Sequence, residues 1–410
     1  MLSVGNTLTV DIIDIAFGGD GVARTEEGLV IFVPGTAIGE TVEVVICEIK
    51  KSYIRGKVAK VLSPSPDRVE PPCRHFGRCG GCVYQHLEYQ AELAAKQKQL
   101  LDLLRRIGGF TDLPPLDCCF ASPKLYGYRN KLRLEPFVTL ETDQGVRLSY
   151  GYCLTDNQTF FTVRECPLAM PIINRNIAKA VHSAWGTQNA RRKPPAPLTL
   201  RASSTGECHF YFGKAPVNIS WLREELCGKE FSVPLGSFWQ VNPEVASELV
   251  RRVHRWAKGL KTKFLVDAYS GVGTFSLTGK KDYVERVLIE SDRQAGEAAA
   301  HNLGKLSLGC RIIKDRTEHA LPGVLRQFPP AETLVLLDPP RTGCQSKVLE
   351  ALRHARPAHL FYVSCNPATL ARDLKVLCAD GCYRLDKLAL FDMFPRTAHF
   401  ETAVALQSGQ

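Results

Sequence analysis

The segment YVSCNPATLARD at positions 362–373 places a cysteine between an apolar run and an Asn-Pro step. The run His359–Val363 is typical of a buried strand, whereas Asn366 is a good N-cap and Pro367 suits the first turn of a helix. Such a corner gathers backbone N–H groups and the positive end of a helix dipole, which favour a thiolate. Cys365 is therefore a candidate nucleophile, although a lone cysteine is more often a small buried apolar residue.

A glycine-rich segment, LVDAYSGVGTFSL at 265–277, predicts a strand, a loop and a helix. Gly271 and Gly273 would let a ligand approach the backbone, and Glu290 ends the next strand, where a carboxylate can accept hydrogen bonds from ribose hydroxyls. Position 276 is Ser, so the complete GxGxxG phosphate fingerprint is absent. Plain turn glycines and a nucleoside cofactor are about equally consistent with this pattern. If a cofactor binds, the missing fingerprint favours one without a pyrophosphate, such as S-adenosylmethionine (SAM), over a dinucleotide.

Another carboxylate ends a strand in LLDPPRTGC at 336–344. Asp338 precedes two prolines, whose rings prevent an immediate helix start. In a doubly wound sheet this end of the strand faces the ligand crevice. The alternative is a capping aspartate at a tight turn.

Four cysteines have the character of metal ligands: Cys73, Cys79 and Cys82 in CRHFGRCGGC, and Cys166 in RECPL. Three thiols so close together seldom arise for packing alone, so a metal centre is expected. Zinc remains possible, but the two glycines before Cys82 favour a bulky iron–sulfur cluster. Fifteen cysteines in a long chain with no apparent export signal indicate thiols, ligands or catalysis rather than disulfides.

The elements that must position these residues follow two patterns. From residue 233 onward strand and helix candidates alternate, which predicts a parallel sheet covered on both faces. Two late runs, Arg384–Phe391 and Phe400–Leu406, leave little room for a crossover helix and predict an antiparallel hairpin at the sheet edge. Residues 1–62 contain short alternating runs separated by glycine turns, which predicts a small OB-type β-barrel, a frequent nucleic-acid-binding module.

Between these regions lie a proline-rich linker at 63–73, a long helix predicted over Gln85–Ile107, and a mixed segment at 117–232 that includes the loop RRKPPAP.

The net charge of +10 suggests an acidic partner. The charge is unevenly distributed. Residues 1–60 contain six basic and eight acidic residues, residues 117–232 contain fifteen basic and ten acidic residues, and residues 233–410 contain twenty-four basic and eighteen acidic residues. No apolar run approaches the length of a membrane span, and a cytoplasmic protein is expected.

The chain resembles the RNA uracil-5-methyltransferase family, in the form that has an N-terminal TRAM barrel and an iron–sulfur cluster, over nearly all of its 410 residues. Several motifs in order carry the resemblance, and together they are highly specific. They are CX5CGGC at 73–82, YRNKLRL at 128–134, FWQVNP at 238–243, DAYSGVGTFSL at 267–277, DPPRTGC at 338–344, SCNPATLARD at 364–373 and DMFPRTAHFE at 392–401.

The resemblance implies an α/β fold with a Rossmann-like class I SAM-dependent methyltransferase domain, an N-terminal OB-type TRAM barrel and a mixed α+β central domain. It implies Cys365 as the nucleophile and Glu401 as the base. The implied SAM contacts are Gln240, Tyr269, Gly271, Glu290 and Asp338, and the implied ligands of a [4Fe–4S] cluster are Cys73, Cys79, Cys82 and Cys166. The expected domains are 1–62 for the barrel, 63–85 with 117–232 for the central domain, and 86–116 with 233–410 for the methyltransferase.

The chain departs from the family pattern at three positions, where Ala268, Ser270 and Arg396 replace the usual Leu, Cys and His. Other classes fit less well. A radical methylthiotransferase needs a CX3CX2C site, which is absent from the sequence, and an exocyclic-amine methyltransferase needs an aromatic residue where Arg341 stands. A non-catalytic RNA-binding protein would need only the barrel and the cluster, and would not need SCNP or FETAVAL.

The expected chemistry forms 5-methyluridine at a flipped-out loop uridine. A thiolate adds to C6 of uracil, C5 then takes the methyl group, and a base removes the C5 proton so that the enzyme is released. Asp338 could also hold an edge of the uracil. The expected partner is RNA, with 23S ribosomal RNA preferred over the transfer RNA T-loop, and the protein is expected to act as a monomer without an obligate protein partner.

Overall fold

The computed structural model describes residues 2–141, 145–217, 221–279, 282–306 and 310–409. Residue contacts divide the chain into two compact units. The first contains Met1–Asp102, Gly151–Thr162 and Phe394–His399, and the second contains Leu103–Tyr150, Val163–Met393 and Phe400–Gln410. Among the helices in the described ranges, none is long and apolar enough to cross a membrane.

The first unit begins with six strands: β1 (Thr7–Asp11), β2 (Asp14–Ile15), β3 (Asp20–Arg24), β4 (Val30–Pro34), β5 (Thr41–Ile49) and β6 (Tyr53–Ser63). They form one sheet in the order β1-β5-β6-β4-β3-β2, antiparallel except between β4 and β6. Alternate residues of β5 are buried, so its inward valines and isoleucine form the core with those of the neighbouring strands. Gly56 lies so close to Val44 that an added Cβ would be 2.1 Å from a valine methyl.

The long helix α1 (Tyr89–Arg106) begins four residues later than the sequence predicts. Residues before it are used in a short β-bridge, in which Leu87 pairs with Arg68 and the carbonyl of His86 accepts a hydrogen bond of 2.9 Å from Val69 N–H. Helical periodicity alone could not distinguish these residues from the helix, since Leu87 is buried in either arrangement.

The middle of the chain supplies β7 (Leu116–Phe120), β8 (Lys131–Glu141), β9 (Gly145–Cys153), β10 (Phe160–Thr162), α2 (Pro171–Val181), α3 (Ala184–Ala190), β11 (Leu198–Ala202), β12 (Cys208–Phe212), β13 (Leu222–Leu226) and β14 (Lys229–Val233). Within the second unit β9, β8, β11 and β12 follow one another in a sheet, with β12 at its edge. The strands β13 and β14 form a separate hairpin. Within the first unit, β10 pairs with the end of β9.

The remaining elements alternate as the sequence predicts: α4 (Pro243–Ala257), β15 (Phe264–Ala268), α5 (Thr274–Thr278), β16 (Glu285–Ile289), α6 (Arg293–Leu306), β17 (Arg311–Ile313), α7 (Thr317–Leu325), β18 (Thr333–Leu337), α8 (Ser346–Ala355), β19 (His359–Ser364), α9 (Pro367–Leu377), β20 (Tyr383–Phe391) and β21 (Glu401–Ser408). Short 3₁₀ turns occupy Pro330–Glu332 and Ala379–Gly381. The sheet order is β17-β16-β15-β18-β19-β21-β20-β7.

The first five strands of this sheet are parallel, and β18 is buried along its whole length, as expected for a sheet covered on both faces. The predicted antiparallel return of β20 and β21 is confirmed. Its predicted place at the sheet edge is wrong, because β7 pairs in parallel with β20 and becomes the last strand. β7 comes from the segment that the sequence assigns mainly to the central domain, far from β20 along the chain, so no local pattern could reveal the pairing.

Candidate active site

Cys365 lies at the corner between β19 and α9. The strand ends at Ser364, and the helix begins at Pro367 with Asn366 as its N-cap, whose side chain accepts a hydrogen bond of 3.1 Å from Ala368 N–H. The Ser364 hydroxyl accepts another hydrogen bond, also 3.1 Å long, from Asn366 N–H. The corner is therefore fixed from both sides, with the cysteine between the two anchors.

The loop after β18 is tied to the same corner. The carbonyl of Arg341 accepts hydrogen bonds of 3.1 Å from Asn366 Nδ2 and from Thr369 Oγ1. The Arg341 guanidinium lies close enough to the Cys365 thiol for its charge to lower the pKa of that thiol. Sequence reasoning noticed Arg341 only as an argument against another enzyme class. The only available signal was a cation three residues after Asp338, and it did not show where the side chain points.

The buried carboxylate of Asp373 holds the loop after β18 in place. Asp373 on α9 accepts hydrogen bonds through Oδ2 from Cys344 N–H (2.8 Å) and from the Tyr362 hydroxyl (2.7 Å). Its other oxygen, Oδ1, accepts hydrogen bonds from Arg372 Nε and Nη2 at 2.9 and 2.7 Å. One side chain therefore connects the DPPR loop, β19 and α9.

The pairing of β19 with β21 brings the candidate base, Glu401, to the corner. Ser364 lies opposite Thr402 in the antiparallel ladder, so Cys365 and Glu401 occupy the same end of neighbouring strands. The two side chains are close enough for the charge of Glu401 to raise the pKa of the Cys365 thiol. The sequence places these residues 36 positions apart, and only the strand register reveals that they are neighbours.

The Cys365 thiol is protonated at neutral pH in the free protein. Burial raises its pKa to about 11, the charges of Glu401 and Asp338 act in the same direction, and the Arg341 guanidinium opposes them. A thiol with such a pKa is a poor nucleophile until its proton leaves. Arg341 is thus the group at this corner that favours the reactive thiolate.

Two carboxyl groups beside the thiol also hold protons more firmly than usual. Burial raises the pKa of Glu401 well above its ordinary value; Asp338 adds to the effect, and Arg341 again opposes it. Burial and the charge of Asp267 raise the pKa of Asp338 to about 7. A buried carboxyl group with a raised pKa can accept or release a proton near neutrality, as a general base requires.

The glycine loop after β15 has the open backbone that a cofactor needs. Tyr269, Gly271 and Gly273 all adopt positive φ, at 64°, 55° and 87°. An added Cβ at Gly271 would meet no atom within 4 Å, so there is open space above the loop. Gly271 N–H donates a hydrogen bond of 2.8 Å to Glu290 Oε2, which holds this carboxylate beside the loop. The open backbone and the adjacent acceptor fit the ribose of a nucleoside cofactor.

Gln240 lies in a loop that connects two of the sequence motifs. The backbone carbonyl of Gln240 accepts a hydrogen bond of 2.9 Å from Asn130 Nδ2, and Val241 O accepts one of 3.1 Å from Asn130 N–H. The Gln240 side chain is buried, whereas Phe238 beside it is largely exposed. All five expected SAM contacts (Gln240, Tyr269, Gly271, Glu290 and Asp338) belong to the second unit, together with Cys365 and Glu401.

The expected cluster ligands do not form a complete metal site. Cys73, Cys79 and Cys82 belong to the first unit, where burial raises the pKa of Cys79 and the charge of Cys73 adds to the effect. Cys166 belongs to the second unit. Across the described residues, however, no three His, Cys, Asp or Glu side chains converge closely enough to hold a metal ion. Within the described residues these cysteines are therefore not gathered into a metal site, and we derive no catalytic step from a cluster.

The departure at Arg396 has a structural explanation within the first unit. Its Nη1 donates hydrogen bonds to Leu87 O (2.7 Å) and Glu92 Oε2 (3.2 Å), and its backbone N–H donates one of 2.7 Å to Glu92 Oε1. Glu92 also forms a buried ion pair of 2.7 Å with Lys96. Two cations thus share one buried carboxylate, and Arg396 is an integral part of this network.

Comparisons with known proteins identify relatives of this chain along nearly its whole length. Residues 225–409 match the protein family described as tRNA (Uracil-5-)-methyltransferase, and residues 2–59 match the TRAM domain. An uncharacterized RNA methyltransferase of Nostoc is 31% identical over 99% of this chain and 98% of its own length, and one from Gloeobacter violaceus is 32% identical over 98% and 97%. The crystal structure of the Pyrococcus abyssi tRNA (uracil-54, C5)-methyltransferase in complex with S-adenosyl-L-homocysteine superposes with a TM-score of 0.70 at 25% identity, covering 97% of this chain and 99% of that one.

Proposed function

The chain belongs to the SAM-dependent RNA uracil-5-methyltransferase family, and from this premise we propose that it forms 5-methyluridine in RNA with Cys365 as nucleophile and Glu401 as base. The observation that supports the proposal most directly is the proximity of these two side chains at adjacent strand ends, with the Arg341 guanidinium close enough to lower the pKa of the thiol. A nucleophile, a cation that activates it and a carboxyl group with a raised pKa are the parts that this reaction requires.

The reaction begins when the Cys365 thiol loses its proton, which the Arg341 cation favours. The thiolate adds to C6 of uracil, and the resulting enolate makes C5 nucleophilic. Bound SAM supplies an electrophilic methyl group, which C5 accepts. Glu401 then removes the C5 proton, the Cys365–C6 bond breaks, and 5-methyluridine is released.

Residues around the glycine loop would hold the cofactor. Glu290 would accept hydrogen bonds from the ribose, and Tyr269, Gly271, Gln240 and Asp338 would complete the contacts. The Glu290 carboxylate already accepts hydrogen bonds from Gly271 N–H and, at 2.6 Å, from Asp292 N–H, so it is oriented before a ligand arrives. Each oxygen has a second lone pair for a hydroxyl donor.

Replacing the base tests the order of these steps. Glu401→Gln keeps the side-chain volume but cannot accept the C5 proton, so methylated RNA should remain attached to Cys365 and migrate as a slow band on a denaturing gel. Cys365→Ala should give neither product nor adduct, and the double variant should behave like Cys365→Ala. Release of 5-methyluridine by Glu401→Gln at nearly the wild-type rate would show that another group is the base.

Within RNA, we propose a ribosomal RNA loop uridine as the substrate. A transfer RNA T-loop is the second candidate, favoured by the likeness to a tRNA (uracil-54, C5)-methyltransferase structure. Mass mapping of 5-methyluridine in ribosomal and transfer RNA from a deletion strain separates the two. Loss of the modification from transfer RNA alone would contradict the ribosomal assignment.

The iron–sulfur cluster is a separate prediction, supported by the CX5CGGC spacing and by the electrostatic interaction between Cys73 and Cys79. The expected role of the cluster is structural or RNA-binding, since every step above uses residues outside the cysteine motif.

The domain boundaries are likewise proposals. The barrel is assigned to 1–62, the central domain to 63–85 and 117–232, and the methyltransferase to 86–116 and 233–410.

A further inference from the structure

A groove outside the residues of the reaction lies beside the central sheet of the second unit. It has a volume of about 380 Å³ between α3 and the edge strand β12 with its following loop. Its lining combines aromatic, amide and cationic side chains, from Trp185, Gln188, Asn189, Arg192, Tyr211, Phe212, Lys214 and Pro216. None of these residues takes part in the chemistry proposed above, and the sequence motifs do not include them.

Trp185 provides an exposed aromatic surface in this groove. Its side chain is 51% exposed, whereas Trp239 and Trp256 are 4% and 5% exposed. The indole touches Phe210 in an edge-to-face contact, with ring centroids 6.0 Å apart at an interplanar angle of 71°. Such a contact holds the ring without covering it. Exposing half of a tryptophan is unfavourable in water, which points to a planar ligand that covers it.

Basic side chains accompany the aromatic ring. On α3 and the following turn, Gln188 and Arg192 follow Trp185 by three and seven residues, the spacing of one helical face. Lys214 faces them from the loop after β12. Neither Arg192 nor Lys214 forms an ion pair with any acidic residue in the ranges that the structure describes. Between residues 171 and 215 there are seven basic residues and one acidic residue, Glu207.

The wall of the groove is held in place by Asn189. Its Nδ2 donates hydrogen bonds of 2.7 Å to the Tyr150 hydroxyl and 2.9 Å to Ala196 O, while its Oδ1 accepts one of 3.1 Å from Ala196 N–H. These bonds close the loop that carries Arg192. The site is therefore organised before a ligand arrives, which lowers the entropy cost of binding.

We propose that this groove binds an unpaired nucleotide of the substrate RNA, outside the uridine that is methylated. The base stacks on Trp185, Arg192 and Lys214 contact the flanking phosphates, and the Gln188 amide hydrogen-bonds to the base edge or the ribose. An aromatic platform beside cations is the usual arrangement for binding single-stranded nucleic acid, whereas an acidic peptide would leave the indole uncovered. The inference rests on the family's action on RNA and does not depend on the roles assigned to Cys365 and Glu401.

Binding of a fluorescein-labelled single-stranded oligouridine to the full-length protein tests the groove. Trp185→Ala should weaken binding about 5- to 100-fold through the loss of one stacked base. Trp185→Phe keeps an aromatic face and should weaken it less. The double variant Arg192→Gln with Lys214→Gln should lower the slope of log affinity against log salt by about 0.7 for each lost phosphate contact.

A matched control comes from Lys261, an exposed lysine in the loop that leads into β15, at the opposite end of the parallel strand from the glycine loop. Lys261→Gln should leave the affinity and the salt slope unchanged. SAM affinity measured by calorimetry shows that each variant is folded. In methylation assays Trp185→Ala should raise KM for RNA and leave kcat unchanged.

The proposal is overturned if Trp185→Ala and the double variant bind RNA as tightly as the wild type while the wild type still forms 5-methyluridine. If polyglutamate binds at the groove and the variants leave the affinity for RNA unchanged, the ligand of the groove is an acidic peptide. That result would also overturn the proposal. If the wild type forms no 5-methyluridine but the variants lose RNA affinity as described, the proposed reaction fails and the groove assignment stands.

Discussion

Cys365 is kept as a neutral thiol by its surroundings, because burial and two carboxyl neighbours raise its pKa to about 11 while only Arg341 opposes them. A protonated resting thiol protects a buried cysteine from oxidation and unwanted addition, since the thiolate is the reactive form. The cost is that the reaction must wait for a proton to leave. We therefore expect kcat/KM to rise with pH above neutrality, with the Cys365 thiol as one of the groups whose ionisation is responsible.

Arg341→Gln tests the role of the cation. Removing the group that lowers the Cys365 pKa should raise that pKa further, so the rising limb of the pH profile moves to higher pH. At pH 7 the rate falls about tenfold for each pKa unit gained. Arg341→Lys keeps a positive charge without the planar fork and should recover part of the loss. The measurement is kcat/KM between pH 6 and 10 together with the affinity for RNA; a loss of kcat/KM matched by an equal loss of RNA affinity would assign Arg341 to RNA binding instead.

Sequence reasoning found the individual residues of the site better than their arrangement. The motifs identify Cys365, Asp338 and Glu290 at strand ends, because strand-end chemistry leaves a local pattern. The contact of Arg341 with Cys365 and the approach of Glu401 depend on side-chain direction and strand register. Neither can be obtained from one-dimensional spacing.

Among the secondary-structure elements, the buried parallel strands were the easiest to predict. The run Thr333–Asp338 contains the observed β18 and exceeds it by one residue, since a continuous apolar run between turn signals has few alternatives. The start of α1 and the edge strand β7 were predicted incorrectly or not at all. In both places a pairing between residues that are distant along the chain determines the outcome.

Asp373 connects three of these elements, and its loss should be costly. Asp373→Ala leaves Cys344 N–H and the Tyr362 hydroxyl without their charged acceptor, and hydrogen bonds to a charged group contribute about 1.5–3 kcal/mol each. We expect the free energy of unfolding in urea to fall by about 2–5 kcal/mol. Tyr362→Phe removes one donor and leaves the acceptor satisfied, so it should cost about 1 kcal/mol. Equal effects of the two variants would contradict a bridging role for Asp373.

For the molecule as a whole, the metal content is the property on which sequence and structure differ. The motif CX5CGGC predicts an oxygen-sensitive [4Fe–4S] cluster on Cys73, Cys79, Cys82 and Cys166, whereas the described side chains do not form a metal site. Anaerobically purified protein should be brown and contain iron and sulfide in similar amounts. Cys79→Ser should lose both, and Cys47→Ser, at an exposed cysteine outside the motif, should lose neither. Zinc at full occupancy without sulfide would refute the cluster.

The register of β19 with β21 determines where the chain can tolerate insertions and deletions. The distance between Cys365 and Glu401 is determined by the ladder that pairs Ser364 with Thr402, so it does not depend on the length of the chain between them. Insertions or deletions in the turns between α9 and β20 can therefore accumulate without moving Cys365 and Glu401. A single residue inserted just after Thr402 has the opposite effect: the rest of β21 keeps its pairing, and the inserted residue turns Glu401 to the other face of the sheet. Natural variation and laboratory grafting should both be tolerated in the connection and not in the first residues of the strand.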